Sequence, residues 1–320
     1  MHQDVQDTQT VATHHALREA VLFINTTSGS GAKEGLVEQL GCILRERGGM
    51  AVRIICTAAH DLTERLQVLA REESASLPII GGGDGTIRAA AQVMMGTRRP
   101  WGVLPLGTYN HFAQDLGFAA EPLEAAAQLA TAVVRPIDVG LVNGHVFVNN
   151  ASLGAYPLAV HIRDMLCSSM GLPKQLAMAY ACWVLFWRYR LLTIDLETGE
   201  GGGISSLHAP FLLISNNLYE KKSLTAVGRP RLDAGLLGIY CLPQNNRWGF
   251  LRALFHGLIH DLRENEALVM LQAKRLRVRL QRQTVAVALD GEVFQLNTPL
   301  RFESRPAALD LLIPLTRIDP

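Results

Sequence analysis

The stretch Ile79–Ala90, IIGGGDGTIRAA, runs from an apolar strand through three glycines, an aspartate, a glycine and a threonine into helix-forming residues. Each residue type has a physical reason to be there. Glycines let the backbone come close to a phosphate and take positive φ. A helix start offers unpaired N–H donors and the positive end of a dipole, and the embedded acid can hold Mg²⁺ directly or through water. The unit is a phosphate-loop candidate, although Gly-Asp-Gly also serves as a plain turn in which Asp84 only caps a helix.

Working outward, the first 135 residues alternate between strand-like and helix-like pieces, the pattern of a parallel α/β sheet. Strands are expected at Val21–Asn25, Val52–Cys56, Leu77–Ile80 and Trp101–Leu104. Between the first two lies a helix with Leu36, Val37, Leu40, Ile43 and Leu44 on one face, stopped by Gly48-Gly49; the next carries Leu62, Leu66 and Leu69. The first turn, NTTSGSGAKEG, is neither of two well-known nucleotide loops. Lys33 is followed by Glu34 rather than Ser or Thr, and Gly29, Gly31 and Gly35 are spaced one residue too widely for G-x-G-x-x-G.

After Pro136 the pattern changes. Asn143-Gly144 between LV and HVFVN is a type I′ hairpin signal, and strands are expected in Pro210–Asn216, Leu236–Leu242, Arg275–Leu280 and Thr284–Glu292, with helices around 174–192 and 248–263. The fold class is therefore an N-terminal α/β domain followed by a mostly β domain. The N-terminal MHQDVQDTQTVATHH is polar and reads as a flexible leader.

With 30 basic against 29 acidic residues, no global field draws the chain to nucleic acid or an anionic membrane. Five scattered cysteines with no C-x-x-C argue against a disulfide framework or zinc site and fit a reducing cytoplasm. The apolar run Leu176–Trp187 is too short to span a bilayer, which takes about 20 residues. Its length suits a core helix packed on the sheet; the alternative is an interfacial helix with Trp183, Trp187 and Tyr189 as anchors and Arg188 and Arg190 reaching headgroups. Arg275, Arg277 and Arg279 share one strand face, read as a solvated edge or as a contact for anionic lipid. His256 and His260 are four apart with no third ligand in view.

Four signatures in order resemble the diacylglycerol kinase catalytic-domain family: Asn25-Thr26-Thr27-Ser28-Gly29 is similar to N-P-x-S-G, Gly82–Thr86 to G-G-D-G-T, Pro105–Asn110 to P-x-G-T-x-N, and Asp290-Gly291-Glu292 to D-G-E. The resemblance implies an ATP- and Mg²⁺-dependent lipid kinase. Its fold would be an α/β nucleotide domain (20–136, with about 300–320 returning) after a leader (1–19), and a C-terminal β-sandwich domain (137–299) for the lipid, with the ligands in the cleft between. It further implies that Asn25, Ser28, Gly29, Thr57, Gly81, Gly82, Gly83, Asp84, Gly85, Thr86, Gly107, Thr108 and Asn110 bind the nucleotide. Asp84 would hold the metal, and Asp290 or Glu292 would be the base beside it. The expected partner is a lipid at the inner membrane face, met peripherally, with no nucleic acid and with room for a homodimer.

Four motifs depart from the family's pattern. Thr26 replaces the proline, Arg88-Ala89 the usual N-E, and His111 an aspartate linked to Mg²⁺; Leu232-Asp233-Ala234-Gly235-Leu236 lacks one acid of the structural-metal loop L-D-D-G-x-L. Two rival functions follow: a soluble-metabolite kinase of the NAD kinase type, which shares G-G-D-G-T, and a non-catalytic nucleotide-binding homologue.

Overall fold

The computed structural model describes residues 19–27, 34–72, 76–154, 162, 165–167, 170–172, 174–187, 192–198, 204–219, 228–241 and 269–317. The leader, Ser28 and Gly29, Arg188 and Arg190, and the helix expected around 248–263 with His256 and His260 lie outside them. Contacts divide the chain into one unit of 1–83, 97–136 and 310–320 and a second of 84–96 and 137–309.

The first unit holds strands β1 (Glu19–Asn25), β2 (Ala51–Thr57), β3 (Leu77–Gly82) and β4 (Gly102–Pro105), all parallel in the order β2-β1-β3-β4. Strands β1 and β3 are apolar and buried along almost their whole length, as a parallel sheet covered on both faces requires. Helices α1 (Glu34–Gly48) and α2 (Ala59–Arg71) bury Val37, Leu40 and Leu44, and Leu62, Leu66 and Leu69, on the faces the sequence periodicity marks. The end of the chain returns here. Trp101 N–H donates to the Asp310 carbonyl and Leu312 N–H to that of Trp101, a single parallel bridge between Trp101 and Leu311 next to the start of β4.

Among the described residues the second unit contains two six-stranded sheets. One has the order β12 (Val269–Ala273), β11 (Leu237–Cys241), β10 (Phe211–Asn216), β7 (Asn150–Gly154), β14 (Thr284–Leu289), β15 (Glu292–Asn297). The other runs β6 (His145–Phe147), β5 (Val133–Val142), β16 (Leu300–Ile313), β13 (Arg275–Arg279), β8 (Leu192–Thr198), β9 (Ile204–Ala209). Leu212, Ile214, Ile239, Val287 and Leu289 of one share a dry core with Ile194, Leu196, Leu276, Val278 and Phe302 of the other, which makes a sandwich. Both hairpin signals hold: Asn143 and Gly144, and Asp290 and Gly291, all take positive φ (47°, 87°, 48° and 91°), as a type I′ turn demands.

Helix α3 (Asp84–Met94), which follows the glycine loop in the chain, groups with this second unit. Its Gln92 accepts from Val146 N–H at 2.8 Å and donates to the Gly144 carbonyl, tying it to the β5–β6 hairpin.

Two expectations need correction. Strand β13 is no edge: β16 and β8 flank it, and its arginines stand on a sheet face where Glu197 lies 3.1 Å from Arg277 and 3.8 Å from Arg279. Arg277 and Arg279 thus share a cross-strand acid, Glu197, instead of lining a free edge. Nor is the apolar helix, α6 (Lys174–Trp187, after the shorter α4, His111–Asp115, and α5, Pro122–Ala130), simply a core helix. It buries Ala177 and Ala181 against Ile162 and Leu166 but leaves Leu176, Tyr180, Trp183 and Trp187 exposed.

Candidate active site

In the first unit the motif residues lie at the C-terminal ends of parallel strands, where open α/β sheets bind their ligands. Asn25 ends β1, and its Oδ1 accepts from both the N–H and the hydroxyl of Thr27 (3.0 and 2.7 Å), an Asx turn that shapes the start of the loop. Thr57 ends β2; its carbonyl accepts from Thr26 N–H at 3.0 Å. Thr26, standing where the resembling pattern has proline, therefore uses a backbone donor that proline lacks. Gly81 and Gly82 end β3. A Cβ on Gly107 would collide with the backbone of Gly83, so the two glycine loops touch main chain to main chain. Asn110, in the left-handed region (φ 54°), closes the second loop by accepting from Gly107 N–H at 2.8 Å and donating to the Gly107 carbonyl at 2.9 Å. Thr108 is exposed between them. His111 opens the short helix α4 (His111–Asp115), exposed and stacked on Tyr109 with 5.6 Å between ring centres.

In the second unit the carboxylates gather around one short segment, 148–150. Asp290, at the β14–β15 turn, accepts from the backbone N–H groups of Val148 (2.7 Å), Asn149 (2.7 Å) and Asn150 (3.0 Å). It is partly exposed, yet its surroundings are dense. Desolvation pushes its carboxyl from an ordinary 3.8 up to about 6; the three N–H donors oppose the shift and the negative charge of Asp84 adds to it. Asp84, first residue of α3, faces Asn149, whose Nδ2 lies 3.4 Å from its Oδ1. Thr86, two residues further on, is buried.

Glu292, two residues beyond Asp290, is engaged elsewhere. Its Oε2 accepts from Nη2 (2.7 Å) and Nε (3.2 Å) of Arg88, whose guanidinium also lies 4.7 Å from the ring centre of Phe294. A Cβ on Gly85 would meet the end of the Glu292 side chain, which would have to shift. Arg88, a departure from the family pattern, is thus a built partner of the D-G-E glutamate.

Sequence reasoning missed Asn149 and Arg229. Arg229 is 1% exposed and donates to the carbonyls of Val148 (2.6 Å) and Asn216 (2.7 Å) and to Asn149 Oδ1 (2.8 Å). It clamps the segment that holds Asp290, and it turns the Asn149 amide so that its NH₂ faces Asp84. No local motif marks it; a lone arginine beyond Gly228 carries no signal of burial. Arg229→Met should lower unfolding stability by about 3 kcal/mol, since three buried acceptors lose a charged donor; a urea melt within about 0.5 kcal/mol of wild type would contradict the clamp.

Asp84 offers only carboxylate oxygen, which suits a hard ion such as Mg²⁺, and its charge raises the pKa of the Asp290 carboxyl. The structural-metal loop is organised differently. The Asp233 carboxylate pairs with Arg231 Nε at 3.1 Å, while Gly235 N–H donates to Asp138 at 2.6 Å and Ala234 N–H to Asn217 at 3.0 Å, so side chains hold this turn. Among the described residues the one close group of three ligating side chains is His60, Asp61 and Glu64, exposed on α2.

Comparison with known proteins identifies relatives of the whole chain. A family model for the diacylglycerol kinase catalytic domain matches residues 19–142. A diacylglycerol kinase of Bacillus subtilis (strain 168) is 26% identical over 282 residues, covering 86% of this chain and 90% of that protein. A probable lipid kinase YegS-like of Yersinia pestis (strain Pestoides F) is 31% identical over 198 residues, 56% of this chain and 67% of that one. The crystal structure of a putative diacylglycerol kinase from Bacillus anthracis str. Sterne shares the fold, with a TM-score of 0.73 at 21% identity over 93% of this chain and 98% of the other.

Proposed function

The chain belongs to the diacylglycerol kinase catalytic-domain family and is an ATP-dependent lipid kinase, and from that premise we propose that it phosphorylates a hydroxyl of diacylglycerol or a close relative, using Mg²⁺ and Asp290 as base. It acts as a peripheral protein at the cytoplasmic membrane face. The observation that carries the mechanism is the meeting of Asp84 and Asp290, 206 residues apart in the chain, at the segment 148–150.

Phosphoryl transfer asks for phosphate binding, charge neutralisation and a base at the acceptor oxygen. The phosphates are assigned to Gly81–Gly83, Gly85, Thr86 and the loop with Ser28 and Gly29, and the rest of the nucleotide to Asn25, Thr57, Gly107, Thr108 and Asn110. Asp84 holds Mg²⁺, which when bound neutralises phosphate charge. Asp290 takes the proton of the acceptor hydroxyl: a carboxyl near 6 is ionised at neutral pH yet basic enough to accept it. Three backbone donors fix its orientation. Glu292 is a positioning residue that keeps Arg88 in place.

These roles separate the two acids experimentally. Glu292→Gln should leave turnover within about tenfold of wild type, because an amide oxygen still accepts from Arg88, and the loss should be far smaller than for Asp290→Asn. The reverse order would make Glu292 the base.

The reaction itself is tested by radiolabelled ATP with diacylglycerol, sphingoid bases, phosphatidylglycerol and NAD as acceptors. Transfer to a lipid hydroxyl supports the proposal. Transfer to NAD alone, or ATP binding without transfer to any of the four, would overturn it.

A further inference from the structure

We propose that helix α6 is the membrane-docking element of this protein, with Leu176, Tyr180, Trp183 and Trp187 entering the lipid headgroup region. The proposal rests on the lipid-kinase reading for its biological sense, but its physical basis is independent of it.

The four residues are spaced i, i+4, i+7 and i+11, which at 100° per residue places them within an arc of about 60°. They are 58%, 54%, 60% and 59% exposed. Ala177 and Ala181, wholly buried, and Val184 lie roughly 100° around the helix and pack against Ile162, Leu166 and Phe211. Among the described side chains of the helix, two alanines and a valine face the domain while the large aromatic ones lie exposed, the reverse of what a solvent-facing helix shows. Met170, in the segment leading into the helix, is 68% exposed.

Composition decides what the stripe meets. Three of its four residues are Tyr or Trp, whose rings carry an apolar body and a polar tip and concentrate where lipid meets water. The two tryptophans contact edge to face, with 5.6 Å between centroids, and form one wedge. In the sequence, Lys174 precedes the stripe and Arg188 and Arg190 follow it, with no acid from 174 to 190, which suits anionic headgroups. A second copy of the chain is the other candidate occupant. The four side chains offer roughly 400–550 Å² of apolar surface, short of about 800 Å² per partner in a stable interface. No helix among the described residues is long and apolar enough to cross a membrane, so the contact lies in the interface plane.

The test uses the full chain and a Trp183→Gln/Trp187→Gln variant, both substitutions being on exposed positions outside the proposed catalytic groups. Co-sedimentation with phosphatidylcholine vesicles containing phosphatidylglycerol should fall by about tenfold or more in the variant. Phosphorylation of long-chain diacylglycerol in those vesicles should fall with it. Phosphorylation of a short-chain diacylglycerol dispersed as monomers should be unchanged, which also shows that the variant is folded. Equal vesicle binding by the two proteins would overturn the proposal. So would a wild-type dimer in sedimentation velocity that the substitutions dissociate without changing vesicle binding. Failure of wild type to phosphorylate either diacylglycerol would instead sink the kinase reading for this acceptor, while a vesicle-binding difference would still support docking.

Discussion

Asp84→Asn should lower turnover by about 10²–10³-fold or more while leaving the fold intact. The substitution keeps the shape of the side chain and can still accept from Asn149, whose Nδ2 lies 3.4 Å away. What it removes is the charge at the start of α3, and with it the carboxylate assigned to Mg²⁺. The expected stability cost is small, about 0.3–1 kcal/mol from the lost interaction with the helix dipole. It is offset in part by relief of repulsion with Asp290. That relief has its own signature: the Asp290 carboxyl, held near 6 partly by the Asp84 charge, should titrate lower in metal-free Asp84→Asn, read from its carboxyl carbon chemical shift. Wild-type rates at saturating Mg²⁺ would remove Asp84 from the mechanism.

Asp290→Asn should cost about 10²–10⁴-fold in turnover, the usual range for loss of a general base. It should also change the dependence of stability on pH, which loss of a base alone would not do. The folded-state carboxyl lies near 6 against an ordinary 3.8. Its stabilising contribution is therefore fully present below about pH 4 and is lost as the pH rises through about 6, because the folded state then carries a charge it disfavours. Urea melts of metal-free wild type and variant between pH 4 and 7 isolate this effect: relative to the variant, the wild type should lose on the order of 1–3 kcal/mol across that window. A constant difference between the two would show that Asp290 does not titrate there. An amide at this position also turns an NH₂ toward one of the three backbone donors. Comparison of rates must therefore be made well below the melting temperature of the variant.

The glutamate of the D-G-E motif illustrates how sequence and structure divide the problem. Two acids flanking one glycine look interchangeable as letters. Only the backbone decides between them: positive φ at Asp290 and Gly291 makes a tight hairpin, which drives Asp290 toward the amides of 148–150 and leaves Glu292 on the next strand beside Arg88. Arg88 itself, read as a departure from the family pattern, turns out to be paired through two hydrogen bonds with a residue 204 positions away.

The sequence by itself determined what depends on short-range regularity. Strand–loop–helix alternation marked the parallel sheet, helical spacing marked the buried faces of α1 and α2, and Asn-Gly and Asp-Gly marked the two type I′ turns, because each is set by backbone sterics within a few residues. The glycines at 83 and 107 were legible as motif letters, but their reason, a main-chain contact between two loops, belongs to the packed fold. Tertiary structure alone decided the placement of β13 inside a sheet, the engagement of Arg229 with Asn149, and the outward turn of the α6 aromatics. Each depends on partners tens to hundreds of residues distant. Local sequence limits which faces a segment can present, but only the assembled chain determines what meets them.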